Sequence, residues 1–352
     1  MKIRLYPWFQ EQWNIVAKLP KNHFPHALII TGQSGIGKQG FSLLLIQSLL
    51  CEKLNQSIET NTTDISAVQN NLPCGICSSC AQVKAGSHGD FLTLEIIPGK
   101  KSIGVDQIRE MIHWMNLTHK SGHKKVLFIP AADKMTLQAS NALLKTLEEP
   151  PADVVIILLV DHIKSLIATM RSRCQIITLA KPDQQLISQW LHESVSDWEV
   201  KSESIAYSPE NHELLLSLAF HTPLKVKKLL TSDILSQRKL ILEQLFSIVE
   251  QQNAPVLASG KLSKIAIEEV VYWLQAIIFD LIYMHFKVEN KKLINLDYRQ
   301  QLISISLNLN TLLLFELLKD LNQYYFFQGN SLNLPLLLDS YLIKWSNCVK
   351  IK

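Results

Sequence analysis

The chain has 352 residues, 47% of them hydrophobic and 19% charged, with a formal net charge of +4. That length favours two or three domains, and the apolar content supplies real cores, which excludes a disordered chain. So small a charge excess argues against a protein whose whole surface grips nucleic acid, though a local basic face stays open.

In chain order, His26–Ile30 is an apolar run leading into a Gly-rich turn. Gln39–Leu50 then reads as a helix, and Phe91–Ile97 as a second strand. Val105–Leu117 carries Val105, Ile108, Ile112 and Met115 at helical spacing. Lys125–Ile129 is a third strand, Leu137–Leu147 a helix, Asp153–Val160 a fourth strand and Gln175–Leu179 a fifth. A helical stretch is expected over Lys164–Met170. Strands alternating with helices imply parallel pairing and a three-layer α/β domain. Asn55–Asn71 is polar and reads as a loop.

After about Lys181-Pro182 helical periodicity takes over. Ser232 or Asp233 is a candidate cap for a helix carrying Leu242, Leu245, Phe246 and Val249. Ala266, Val270, Leu274, Ile277, Leu281 and Met284 form another stripe. Thr311–Tyr325 and Pro335–Trp345 continue it. The N-terminus has no apolar core of a secretory signal, and no apolar run approaches the roughly 18 residues that span a bilayer. A soluble protein of the reducing cytoplasm, with no membrane contact, is the expectation.

Gly32-Gln33-Ser34-Gly35-Ile36-Gly37-Lys38-Gln39 follows a strand and opens a helix, the context of a phosphate-binding loop. Its glycines let N–H groups turn inward, and Lys38 would reach the β- and γ-phosphates. The last position should carry a hydroxyl for Mg²⁺ but is Gln39. The third strand should end on acidic residues for the metal and the attacking water. Pro130 and Ala131 stand there instead. Two readings stand: a loop that binds nucleotide without hydrolysing it, or a turn that packs without nucleotide. An autonomous ATPase would need a relocated carboxylate such as Asp133 or Asp161.

Cys74, Cys77 and Cys80 form two overlapping C-x-x-C units, and Cys51 lies 22 intervening residues upstream. Four such thiolates suit tetrahedral Zn²⁺ in a closed, structural site. The alternatives are a redox C-x-x-C pair and ordinary buried cysteines. Arg171-Ser172-Arg173-Cys174 lies between a helical stretch and a strand. An arginine there can reach a γ-phosphate held by a neighbouring subunit, or pair with a local carboxylate or cap the preceding helix. Lys120, Lys124 and Lys125 are either a basic patch or a solvated lysine face.

Taken together, Tyr6-Pro7-Trp8, the cysteine cluster, Gly104-Val105-Asp106, the segment Asn141–Pro151 and Ser172-Arg173-Cys174 resemble the delta prime family of AAA+ clamp-loader subunits of bacterial DNA polymerase III. The resemblance is strong over residues 1–180. It implies an AAA+ α/β domain over 1–180 with a zinc module at about 51–80, a helical lid over 181–230 and an all-α collar over 231–352. Gln39, Pro130, Ala131 and Val160, where hydrolysing relatives carry a polar sensor, match the member with a degenerate nucleotide site. Implied partners are the gamma/tau and delta subunits, with the sliding clamp and primer-template DNA met through the assembly. Arg173 would act in trans on the neighbouring gamma/tau ATP site, with Ser172 and Cys174 positioning it. The chain is then not catalytic alone but part of a DNA-directed DNA polymerase holoenzyme in replication.

Overall fold

A computed structural model describes residues 4–19, 24–59, 72–118, 124–201, 205–287, 293–307, 309–327 and 333–349. The chain divides into two compact units, Met1–Ile187 and Ser188–Lys352.

The first unit is built on five strands: β1 Ala27–Thr31, β2 Phe91–Thr93, β3 Lys125–Ile129, β4 Val154–Val160 and β5 Gln175–Thr178. They pair in the order β2-β3-β4-β1-β5, and every pair is parallel. β1, β3 and β4 are buried along their whole length. Such runs are continuous apolar stretches because helices cover both faces of a parallel sheet. The helices of this unit are α1 Gln10–Ala17, α2 Lys38–Leu50, α3 Glu52–Glu59, α4 Ser78–Ala85, α5 Val105–Met115, α6 Leu137–Glu148 and the short α7 Ala168–Arg171. α8, Gln184–Ser194, follows. Side chains alternate across a strand. On one face Ile29, Leu127, Ile129, Ile156 and Leu158 join Ile108 and Met111 of α5 and Leu143 and Leu147 of α6 in one core. On the other side α2 packs on β1 and β4. There Phe41 meets Phe9 and Trp13 edge-on, at ring centroid distances of 5.5 and 5.7 Å.

Local chemistry sets the helix starts. Thr136 caps α6 by accepting from Ala139 N–H at 3.2 Å, and the Gln107 side chain accepts from Gly104 N–H at 3.2 Å ahead of α5.

Several expectations are corrected. β2 stops at Thr93 rather than Ile97, because its partner β3 ends at Ile129 and offers no further backbone. The polar stretch from Asn55 begins inside helix α3, which Leu54 anchors beside Cys51 and Cys80. Residues 60–71 of it lie outside the described residues. Lys164–Met170 is not one helix. A 3-10 turn, Ile163–Ser165, is followed by extended backbone at Leu166 and Ile167 and then by α7, which lets Leu166 and Met170 enter the core. Lys125 is neither a basic patch nor solvated. It is 2% exposed, donates to the carbonyls of Trp114 and Leu117 at 2.8 and 2.5 Å, and lies 4.8 Å from the Trp114 ring centre. Lys124 pairs with Asp153 at 3.7 Å, and Lys120 lies outside the described residues.

The second unit has helices and no strand among its described residues: α9 His212–Leu218, α10 Pro223–Thr231, α11 Ile234–Val249, α12 Pro255–Leu262, α13 Ile267–His285, α14 Arg299–Ser306, α15 Thr311–Phe327 and α16 Leu334–Cys348. Of the stripe read from sequence, Val270, Leu274, Ile277 and Leu281 are enclosed on α13, whereas Ala266 is its exposed N-cap residue and Met284 is half-buried. Asp233 stands at the N-cap of α11 but makes no side-chain cap bond. Trp345 of α16 donates to the Leu245 carbonyl of α11 at 3.0 Å, satisfying its indole inside the core.

A polar keystone ties three segments of this unit. Arg238 of α11 is 2% exposed and grips both carboxylate oxygens of Asp297, at 2.7 and 2.8 Å. It also donates to Asn295 Oδ1 at 2.9 Å and lies 5.4 and 5.2 Å from the ring centres of Trp273 and Tyr298. Asp280 of α13 accepts from Ile294 N–H, Asn295 N–H and Asn295 Nδ2 at 2.6 to 2.8 Å. Burial pushes the Asp280 carboxyl up, while those donors and Arg238 hold it down. Among the described residues no helix is long and apolar enough to cross a membrane.

Candidate functional site

The glycine-rich turn leaves the carboxyl end of β1, where the strand order reverses direction along the sheet. Ligand crevices of parallel sheets form at such points. Gly35 and Gly37 have φ of 85° and 104°, a region that disfavours any side chain. Gly32 is excluded from larger residues by packing: a Cβ there would stand 2.5 Å from the Leu179 carbonyl oxygen. The loop is braced by the aromatic N-terminal motif. Trp8 donates to the Ile36 carbonyl at 2.9 Å and stacks on Tyr6 with ring centres 4.9 Å apart.

Lys38 opens α2, as a phosphate-loop lysine should, but its ammonium is already engaged. It is 6% exposed, lies 2.6 Å from Asp161 Oδ1 and donates to the Gln33 carbonyl at 3.0 Å. Asp161 follows the last residue of β4, Val160, which is buried in the core. Of the two relocated carboxylates considered from sequence, Asp161 reaches Lys38. Asp133 sits in the 3-10 turn Ala132–Lys134 and does not pair with it. Gln39 is exposed on the first turn of α2, and Pro130 and Ala131 follow directly on β3.

The four cysteines converge. The sulfurs of Cys51, Cys74, Cys77 and Cys80 lie within 4.8 Å of one another. A tetrahedral Zn–S₄ shell has sulfurs about 3.8 Å apart, so the set fits a soft four-coordinate cation with little adjustment. The Cys74–Cys80 sulfur distance is 4.0 Å. Cys51 caps the end of α2, Cys80 lies in α4, and Cys77 is the N-cap residue of α4. Backbone N–H groups of Cys74, Cys77 and Cys80 point at the sulfurs of Cys51, Cys74 and Cys77, at 3.5, 3.4 and 3.4 Å. Such donors favour thiolate. Burial pushes the Cys51 and Cys80 thiols up. At Cys74 burial also opposes ionisation, but donors from Ile76, Cys77 and Cys51 prevail and bring it to about 7. A cation at the centre would resolve that conflict, because a coordinated thiol ionises outright.

Beside the cluster a polar relay fixes α4. Asp90 N–H donates to His88 Nδ1 at 3.1 Å, which assigns the proton to Nε2. Nε2 then donates to Ser79 Oγ at 2.8 Å, and Ser79 Oγ donates to the Leu50 carbonyl at 2.6 Å.

Arg173 is one-third exposed just after α7 and is held by its own chain. Nη2 lies 2.5 Å from Glu148 Oε1, and Nη1 donates to the Thr169 carbonyl at 2.8 Å and to Ser172 Oγ at 3.3 Å. Ser172 Oγ in turn donates to Thr169 at 3.0 Å. Cys174 packs against the main core, and burial pushes its thiol up to about 11. The local pairing weighed from sequence is therefore present in the single chain. Glu148 lies within the Asn141–Pro151 segment, which does not by itself identify Arg173 as its partner. The available signal was an acid at a helix C-terminus, where the macrodipole disfavours it unless a cation is near.

Residues 10–183 match the family described as DNA polymerase III, delta subunit, and residues 232–347 match DNA polymerase III, delta subunit, C terminal. The chain is 30% identical over 291 residues to DNA polymerase III subunit delta' of Haemophilus influenzae, covering 82% of this chain and 80% of that one. It is 35% identical over 195 residues to the protein of the same name from Escherichia coli, covering 55% and 54%. With a Buchnera aphidicola relative of that name it shares 26% identity over 349 residues, 97% of each chain.

Proposed function

The chain belongs to the delta prime family of DNA polymerase III clamp-loader subunits, and from that premise we propose that it is the non-hydrolysing stator of an ATP-driven loader. In this reading residues 1–180 are an AAA+ domain, 181–230 a lid and 231–352 a collar that joins the chain to gamma/tau and delta subunits. The assembled complex opens the sliding clamp and places it on primer-template DNA. Polymerase activity belongs to the holoenzyme.

The observation that carries the reading is the Lys38–Asp161 pair. The residue that should meet a nucleotide's phosphates is neutralised from within, at 2.6 Å. Neither Gln39 nor Pro130 and Ala131 offers a carboxylate or hydroxyl for Mg²⁺. With its own hydrolytic site incomplete, the chain contributes chemistry through Arg173, whose guanidinium reaches the surface and stabilises transition-state charge on a neighbour's γ-phosphate. Ser172 orients it through the Nη1 contact. Cys51, Cys74, Cys77 and Cys80 hold a structural Zn²⁺ that ties α2, α3 and α4 together and leaves no open coordination position.

The test is a loader reconstituted with gamma/tau and delta subunits. Arg173→Ala should leave assembly intact and lower clamp- and DNA-stimulated ATP hydrolysis by up to ~10³-fold. Unchanged hydrolysis would remove the trans-acting role.

A further inference from the structure

Arg173 and Glu148 belong to two different sequence motifs, and the fold brings them together. Glu148 is the last residue of α6, and its side chain is half exposed. An acid at that end faces the helix's free carbonyls, so α6 by itself gains nothing from it. Arg173 supplies the missing positive charge, and in doing so three of its N–H bonds are committed inside the chain. A guanidinium presents five donors in a planar fork, and carboxylate and phosphate compete for the same edges.

We propose that Glu148 is a positioning residue that latches Arg173 against its own subunit until a neighbour's triphosphate is brought within reach. The inference rests on the trans-acting role of Arg173 given above. An ion pair this exposed is weak, so it only biases the arginine toward its own subunit and yields to a stronger anion. A terminal phosphate carries more charge than a carboxylate and offers three acceptor oxygens, so it displaces Glu148 when the subunits close. The latch thus couples hydrolysis to closure, because the arginine stays on Glu148 while the subunits are loosely arranged.

The reconstituted loader tests this with Glu148→Gln, Arg173→Ala and the double variant. Glu148→Gln keeps the side-chain length and removes the charge. It should raise unstimulated ATP hydrolysis about two- to fivefold, the scale of an exposed ion pair. The rate with clamp and primed DNA should stay near wild type, so the stimulation ratio falls. The double variant should match Arg173→Ala alone. A Glu148→Gln loader with an unchanged ratio would overturn the latch, as would one in which both rates fall together, the mark of a merely structural or orienting role. A double variant that keeps the Glu148→Gln increase would place its effect elsewhere. Arg173→Ala without effect would instead defeat the trans-acting reading itself, and the latch with it.

Discussion

Lys38 Nζ of the glycine-rich loop lies 2.6 Å from Asp161 Oδ1, and the lysine is 6% exposed while the aspartate is half open to solvent. A buried ammonium needs a counter-charge. Here the protein supplies it from the end of β4.

Asp161→Asn should therefore open the loop to nucleotide. A charged hydrogen bond contributes about 1.5–3 kcal/mol, so affinity for ATP should rise by about tenfold or more. Titration calorimetry of the purified chain reads this directly. Asp161→Asn combined with Lys38→Ala should lose the gain. No turnover is expected in either variant, since Gln39, Pro130 and Ala131 provide no carboxylate or hydroxyl for Mg²⁺. Lys38-dependent hydrolysis by the wild-type chain would favour the autonomous ATPase instead.

The cysteine cluster predicts one zinc per chain. Metal analysis of protein purified without added zinc should give a stoichiometry near one, and replacing Cys74 and Cys77 by Ser should abolish it. Thiol reagents should react slowly until a chelator is added, and chelation should lower the thermal midpoint. Metal-free protein whose Cys74 and Cys77 cycle readily through a disulfide would support the redox alternative.

In the second unit, Arg238→Met should destabilise. It leaves Asp297 and Asn295 without their donor, and breaking a buried pair from one side costs about 3–5 kcal/mol. For a unit of this size the thermal midpoint should drop on the order of 10 °C. Asp297→Asn should cost less, because the Asn side-chain oxygen still accepts one Arg238 N–H and Asp280 remains as a nearby negative charge. Equal losses for the two would show that the pair, and not the Arg238–Asn295–aromatic setting, dominates.

A histidine cluster predicts acid sensitivity. His212 Nε2 and Nδ1 contact Ser188 Oγ at 2.8 Å and Tyr207 OH at 3.2 Å, and His192 stacks on it with ring centres 5.9 Å apart. Burial lowers the His212 pKa, His192 lowers it further and Glu213 opposes both. A folded-state value below the unfolded one means the neutral form is favoured by folding. The stabilisation is present above the unfolded value of about 6.5 and is lost as pH falls through the folded value. Thermal midpoints at about pH 7.5 and about pH 5.5 should differ more for wild type than for His212→Gln. Equal differences would show that His212 does not carry the effect.

Local pattern was enough for much of this protein. The alternation of apolar runs and 3.6-residue stripes gave the parallel sheet and the helical second half, because periodicity depends only on which face of an element meets water. The glycines and Lys38 announced the loop, and the spacing of Cys74, Cys77 and Cys80 announced a cluster of sulfurs, since both are short-range geometries. Gln39, Pro130 and Ala131 stand where a hydrolysing loop would carry a hydroxyl and acids, which is the sequence ground for the proposed loss of turnover. Long-range pairing was not legible. Lys125 looked like one of three surface lysines, yet its strand lies inside the sheet and its ammonium is drawn to the carbonyls ending α5. Asp161 was one of two candidate carboxylates, 123 residues from Lys38. Only the placement of β1 beside β4 chose between them. Glu148 and Arg173 likewise meet because α6 ends where α7 begins to turn back into β5. A charge's partner is set by which strand ends are neighbours, and strand order is a property of the packed sheet that no local stretch of residues encodes.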